Sequence, residues 1–257
     1  MPVRRPSVED LKEIARHYRM DLTDEEATVF SQLIDGAFRS LDRVDQMIEP
    51  KLPVRYPRTG GRRPEPEENP YGAWAWKCSV NGAPEGPLIG KRIALKDVVA
   101  VAGVPLTNGT RVLEGFIPDI DATVVTRILD AGGEIVGKAM CTSSSLSAGS
   151  FNSHPWGVLN PRKPGYQAGG SSSGSAVLVA LGEVNMATGG DQGGSIRIPA
   201  SLCGVVGMKP TFGLVPYTGC MCNEWTVDHI GPLTSTVADC ALLLEVIAGP
   251  DGLDPRQ

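Results

Sequence analysis

Histidine and aromatic side chains are scarce here: three histidines and 5% Phe, Trp and Tyr in 257 residues. Scattered histidines leave few ligands for a metal centre, and Cys220-x-Cys222 has no second pair at zinc-site spacing, so no metal or other cofactor is expected. No apolar run approaches the ~18 residues that span a bilayer. The opening Met1-Pro2-Val3-Arg4-Arg5-Pro6 lacks the apolar stretch of a secretory signal. A cytoplasmic chain with no membrane partner is therefore expected. Basic charge is not in excess either; a net charge of −5 argues against nucleic-acid binding. The short Arg4-Arg5 and Arg62-Arg63 patches read as solvated surface. Six cysteines (Cys78, Cys141, Cys203, Cys220, Cys222, Cys240) fall mostly in apolar segments and read as reduced, buried thiols rather than a disulfide framework.

What the chain does have is ordinary globular composition, 41% hydrophobic and 21% charged, enough for one large domain or two smaller ones. Ser7 caps a first helix with Leu11, Ile14 and Ala15 on one face. Thr23-Asp24-Glu25-Glu26 has capping-box form and opens a second. Along it Val29, Leu33, Ile34, Phe38, Leu41, Val44 and Ile48 recur at helical spacing. Two helices cannot bury those stripes alone, so residues 1–49 form a helical region that must pack on the main body or on a second subunit. Residues 50–70, rich in Pro, Arg, Gly and Glu, read as an extended linker.

From residue 71 onward β and α patterns alternate. Strands are expected at 93–95, 134–138, 184–188 and 205–208, and helices at 122–131, 173–181 and 236–247. Alternation of this kind predicts an α/β domain over 71–257. Its sheet should be mostly parallel, or mixed, and covered by helices on both faces.

Two loops concentrate the chemistry. Gly169-Gly170-Ser171-Ser172-Ser173-Gly174-Ser175 and Gly189-Gly190-Asp191-Gln192-Gly193-Gly194-Ser195-Ile196-Arg197 each set a serine in a glycine-rich turn. Glycine permits positive φ and close approach of a backbone to a ligand, and successive N–H groups in such a turn can meet on one oxyanion. Two decoys overlap them. Gly170-Ser171-Ser172-Ser173-Gly174 satisfies a nucleophile elbow around Ser172, but adjacent Asp228 and His229 cannot act as separate strand-end partners. Gly132-Gly133-Glu134-Ile135-Val136-Gly137-Lys138 approaches a phosphate loop but ends in Ala139 where the magnesium-binding hydroxyl belongs.

These loops, with Arg92-Ile93-Ala94-Leu95-Lys96-Asp97 upstream, resemble the amidase signature family. The likeness runs from about Tyr71 to Gln257, through Cys203-Gly204-Val205-Val206-Gly207-Met208-Lys209-Pro210 and Asp228-His229-Ile230-Gly231-Pro232. The helical N-terminus and Asp191-Gln192 look most like the bacterial enantioselective amidases of nitrile metabolism.

The resemblance implies hydrolysis of a carboxamide to carboxylate and ammonia through a Ser195 acyl-enzyme. Lys96 would act as base through Ser171, which the family holds by a cis peptide bond. Gln192, Gly193, Gly194 and Ser195 would supply oxyanion donors. Asp191 and Arg197 read as supports that pair across the turn, with substrate contact the alternative. Leu146, Ser147, Ala148 and Gly149 fall where the family lines its acyl pocket. A homodimer is implied by the N-terminal helices. Family members run to roughly twice this length, so the chain reads as an N-terminal half. The alternatives are a non-catalytic fragment or a glutaminase-type amidotransferase subunit.

Overall fold

The computed structural model describes residues 4–47 and 51–257. The chain divides into two compact units, Met1–Lys51 and Leu52–Gln257.

The first unit is a helical hairpin of α1 (Val8–His17) and α2 (Asp24–Asp45). Both start at reciprocal capping boxes. The Ser7 hydroxyl accepts from Asp10 N at 3.1 Å while the Asp10 carboxylate accepts from Ser7 N at 2.8 Å. Thr23 and Glu26 do the same at 3.2 and 2.8 Å. Each cap stabilises its helix by about 1 kcal/mol. Ala15 and Ala27 are buried, whereas Leu33 and Val44 of the expected stripe stay largely exposed. Ile48, also assigned to that stripe, lies outside the described residues.

The second unit is a six-stranded mixed sheet with helices on both faces. Its strands are β1 (Trp74–Asn81), β2 (Arg92–Lys96), β3 (Glu134–Ala139), β4 (Met186–Asp191), β5 (Val206–Gly207) and β6 (His229–Thr234), in the spatial order β1-β3-β2-β4-β6-β5. The parallel pairings are the two central ones, β3 with β2 and β2 with β4; the outer three are antiparallel.

This order follows from connections. Helix α3 (Thr123–Asp130) carries the chain from β2 to β3, and α4 (Ser173–Leu181) returns it past β2 to β4. Right-handed crossovers running in opposite directions put their helices on opposite faces. Ile93, Leu95 and Met186 accordingly pack with Ile128 of α3 and Leu243 of α6 (Val237–Ile247). Ala94 and Ala187 pack instead with Val177 of α4 and Ala200 of α5 (Arg197–Cys203). The topology thus reverses at β2, and ligands of open α/β sheets bind outside the strand ends at such a reversal. Lys96 is the last residue of β2.

Three elements were not legible as such. β1 carries two register shifts that blur its alternation. β6 contains Gly231-Pro232, a pair that reads as a strand breaker. α5 is only seven residues long and includes Pro199. β4 also runs later than expected, continuing through Gly189 and Gly190 instead of turning there. The stretch read as a linker has little regular structure, but from Leu52 it belongs to the second unit. Arg62 pairs its backbone with Lys77 of β1 at 2.9 and 2.8 Å, and Arg58 forms a largely buried ion pair with Asp121. All six cysteines are free thiols, and no helix among the described residues is long and apolar enough to cross a membrane.

Candidate active site

Side chains alternate across a strand, so Lys96 shares the face of Ala94, the face covered by α4 and the loop before it. There its ammonium group is fully buried. Lys96 Nζ donates to Ser171 Oγ at 2.6 Å and lies 3.5 Å from the Gly190 carbonyl. Burial makes the charged form costly and lowers the Lys96 pKa from 10.5 to about 8, against an opposing pull from nearby acidic groups. One of these, Cys141, is itself pushed up to about 12 by burial. It is a neutral thiol where Lys96 titrates, which leaves Asp228 and Asp191 as the opposing charges.

Ser171 is fully buried, and the Gly170–Ser171 peptide is cis. Ser172 has a different task. Its hydroxyl accepts from Gly190 N at 3.1 Å and donates to Gly190 O at 3.0 Å, while its own N–H donates to Ser195 O at 3.1 Å. Ser172 therefore clips the two glycine-rich segments together and is not a free nucleophile. This clip explains why the chain needs glycines in β4. A Cβ on Gly189 would lie 2.9 Å from Ser172 Oγ and 2.6 Å from Leu233 Cδ1, and one on Gly190 would lie 3.3 Å from Lys96 Nζ.

The turn after β4 is organised by Asp191. Its buried carboxylate accepts from Gly194 N at 2.8 Å, Ile196 N at 3.0 Å and the Arg197 guanidinium at 2.9 and 3.0 Å. Burial alone would raise the Asp191 pKa, but these donors outweigh it and hold the carboxyl below its usual range. Asp191 and Arg197 thus pair across the turn.

One expected oxyanion donor is already occupied, because the Gly194 N–H is committed to Asp191. Gly194 sits at φ 126°, a conformation that favours glycine. The backbone N–H groups of Gln192, Gly193 and Ser195 have no intramolecular partner among the described residues.

Ser195 and these donors border a cavity of about 470 Å³. Leu146, Ser147 and Ala148 line it, whereas Gly149 is buried beside it, its N–H held by Ser147 Oγ at 3.1 Å. The Ser195 hydroxyl forms no hydrogen bond with Ser171 among the described residues. The structure therefore joins Lys96 to Ser171 and ties Ser195 to the same loop pair through the backbone.

Sequence reading missed the residues that complete the wall. Ser145, Ile198, Asn223 and Glu224 also line the cavity. Ser144 and Ser145 take positive φ of 51° and 55°. Asn108 holds them, accepting from Ser145 Oγ at 2.8 Å through its side chain and from Ser144 N at 2.9 Å through its carbonyl. The only signal for this was the Asn108-Gly109 pair, a turn former.

A buried neutralisable lysine joined to one serine, beside a second serine and free N–H donors that line a cavity, is an arrangement suited to acyl transfer. Comparison with known proteins agrees. The amidase family matches residues 66–257, and the chain belongs to that family. It is 48% identical, over 98% of its length, to an enantioselective amidase of Rhodococcus rhodochrous, covering 48% of that protein. It is 44% identical over 72% of its length to a glutamyl-tRNA(Gln) amidotransferase subunit of Haloarcula marismortui, covering 43% of that protein. Among solved structures, the corresponding amidotransferase subunit from Thermotoga maritima matches with a TM-score of 0.66 and 32% identity over 98% of this chain and 49% of its own. The peptide amidase of Stenotrophomonas maltophilia matches with a TM-score of 0.64 and 39% identity over 66% of this chain and 36% of its own. The chain thus spans under half the length of these relatives.

Proposed function

We propose that this chain carries the catalytic centre of an amidase that hydrolyses a carboxamide through a Ser195 acyl-enzyme. The observation that carries the reading is the buried Lys96, in contact with Ser171 and with its pKa lowered by burial to about 8. In the proposed cycle neutral Lys96 takes the Ser171 proton as Ser171 takes that of Ser195. The Ser195 oxygen bonds to the amide carbon, and its oxyanion is held by the free N–H groups of Gln192, Gly193 and Ser195. Losing one such donor typically costs ~10²–10³ in rate. The C–N bond then breaks, and the leaving ammonia takes its proton from the same relay. Water repeats the attack and releases the carboxylate. Likeness to an enantioselective amidase supports unequal use of two enantiomers. The exposed stripe on α2 supports a homodimer, and six free thiols support a reducing, cytoplasmic setting.

A second reading, in which the protein releases ammonia from glutamine as part of an amidotransferase, is favoured by the match to the glutamyl-tRNA(Gln) amidotransferase of Haloarcula marismortui. The test is ammonia release by the full-length protein from benzamide, a racemic 2-arylpropionamide and glutamine. Release from the first two, abolished in Ser195→Ala and Lys96→Ala, with a kcat/KM that rises through pH about 8, is the expected outcome. Release from glutamine alone would favour the second reading. Undiminished release in either variant would remove that residue from the mechanism.

A further inference from the structure

Beyond Lys96, the sheet holds a second fully buried lysine on which the proposed cycle does not draw. Lys138 of β3 lies opposite Leu95 in the parallel register, one step from Lys96. Its Nζ donates to Asp97 Oδ1 at 2.8 Å, with the two side chains 0% and 1% exposed. Removing two charges from water is costly, and such pairs are often no more stable than apolar residues of similar size. Stability alone is therefore a weak reason for this one.

Its surroundings give a better reason. Asp97 follows Lys96 directly, and its N–H donates to Ala139 O at 3.0 Å, continuing the strand pairing that fixes the Lys96 backbone. Its other carboxylate oxygen accepts from Thr107 N at 2.9 Å and Thr107 Oγ1 at 2.6 Å. Its carbonyl accepts from Asn108 N at 3.1 Å. Asn108 in turn supports Ser144 and Ser145, and Ser145 lines the cavity. One aspartate thus reaches both the strand end that presents Lys96 and the loop that holds the cavity wall.

The charge arrangement is equally specific. The thiols that face Lys138 are neutral, because burial pushes Cys78 up to about 11 and Cys141 and Cys220 up to about 12. Asp97 is its ion-pair partner. The acidic groups facing Lys96 are Cys141 after β3, Asp228 before β6 and Asp191 at the end of β4. Asp97, the next residue along the strand and paired with Lys138, is not among them.

We propose that the buried Asp97–Lys138 pair is a positioning device for the reaction: it fixes the end of β2 and the Asn108 loop, and Lys138 cancels a carboxylate that would otherwise favour the ammonium form of Lys96. This rests on the reading of Lys96 as the base. Acting through their neighbours, Asp97 and Lys138 are positioning residues, not catalytic ones.

The test compares Lys138→Met, Asp97→Asn and the double variant in the full-length protein. The acid limb of kcat/KM for benzamide is followed against pH, and Lys96 is titrated independently by NMR of lysine labelled with ¹³C at Cε. Removing Lys138 alone leaves an extra negative charge and should move the Lys96 titration to higher pH by roughly one unit. Removing the Asp97 charge alone leaves an extra positive charge and should move it to lower pH. The double variant, neutral like the parent pair, should titrate as the parent does. Titrations that do not move, or that move the same way in both single variants, overturn the proposal. Should a single variant fail to fold, the double variant still decides, since a displaced titration there overturns it. The two readings fail separately. Absence of amide turnover in the parent counts against the amidase function, while the NMR titration judges the pair without any turnover.

Discussion

A lysine that is to serve as a base, the role proposed for Lys96, has to be placed where its charge is unwelcome, and that placement weakens the fold. Lys96 is fully buried, and its pKa falls from 10.5 to about 8. Between those values the unfolded chain binds a proton that the folded chain does not, so stability rises with pH across that window. Below about pH 8 both states are protonated and the penalty is present in full; above 10.5 it is gone. At ~1.4 kcal/mol per unit, the penalty is about 3 kcal/mol. Lys96→Met should therefore abolish amide hydrolysis while raising thermal stability at pH 7, by up to that amount less the lost Ser171 contact. The difference from the parent should shrink as pH approaches 10.5. Melting curves at pH 7 and pH 10.5 check this; a variant less stable than the parent at pH 7 would mean that packing and hydrogen bonding outweigh the charge. Arg197 offers a contrast. Its guanidinium is about half exposed, so its pairing with Asp191 is screened and modest in energy. The buried carboxylate, which also accepts from three backbone N–H groups, carries the organisation of the turn.

At the scale of elements, β4 shows how a functional demand disguises a strand. Its sequence Met186-Ala187-Thr188-Gly189-Gly190-Asp191 ends in two glycines before the aspartate, and glycine pairs mark turns on any reading of local preference. Yet all six residues are buried and paired with β6. The glycines are there because Ser172 and Lys96 occupy the space a side chain would take, a tertiary reason with no local signature. The two should differ on substitution. Gly189→Ala pushes a methyl into Leu233, Ile196 and Ser172 and should destabilise the fold by ~1–3 kcal/mol. Gly190→Ala meets mainly the movable end of Lys96, so it should lower kcat by about tenfold or more with a much smaller change in melting temperature. Melting and single-substrate kinetics on both variants check the split; equal losses of stability would remove the distinction. The Lys96 strand, α4 and the capped N-terminal helices were legible because apolar periodicity and caps are local. β6 was hidden by Pro232, whose place only the folded sheet makes acceptable, and α5 by its seven residues, with Pro199 tolerated in the first turn. Of the candidate site, the Lys96–Ser171 contact was reached through family likeness, since nothing local says that residues 75 positions apart meet.

For the whole molecule, every residue assigned to the site lies in the unit Leu52–Gln257, whereas the unit Met1–Lys51 contributes none of them. Among the described residues, the helical hairpin carries no part of the candidate site. The proposed association would use its surface: Ile14, Leu33, Leu41 and Val44 are 51%, 70%, 45% and 63% exposed, a concentration of apolar area on the hairpin. Deleting residues 1–51 from the full-length protein should then leave the Lys96-dependent rise of kcat/KM with pH where it is in the parent. The mass in solution should fall from that of a dimer to that of a monomer. Light scattering coupled to size exclusion, read beside the pH profile, separates the two effects. A variant that stays dimeric would transfer the interface to the α/β unit. One that turns monomeric and also loses the pH-dependent limb would mean that association itself completes the cavity, so that the division between a chemical unit and an associating unit does not hold.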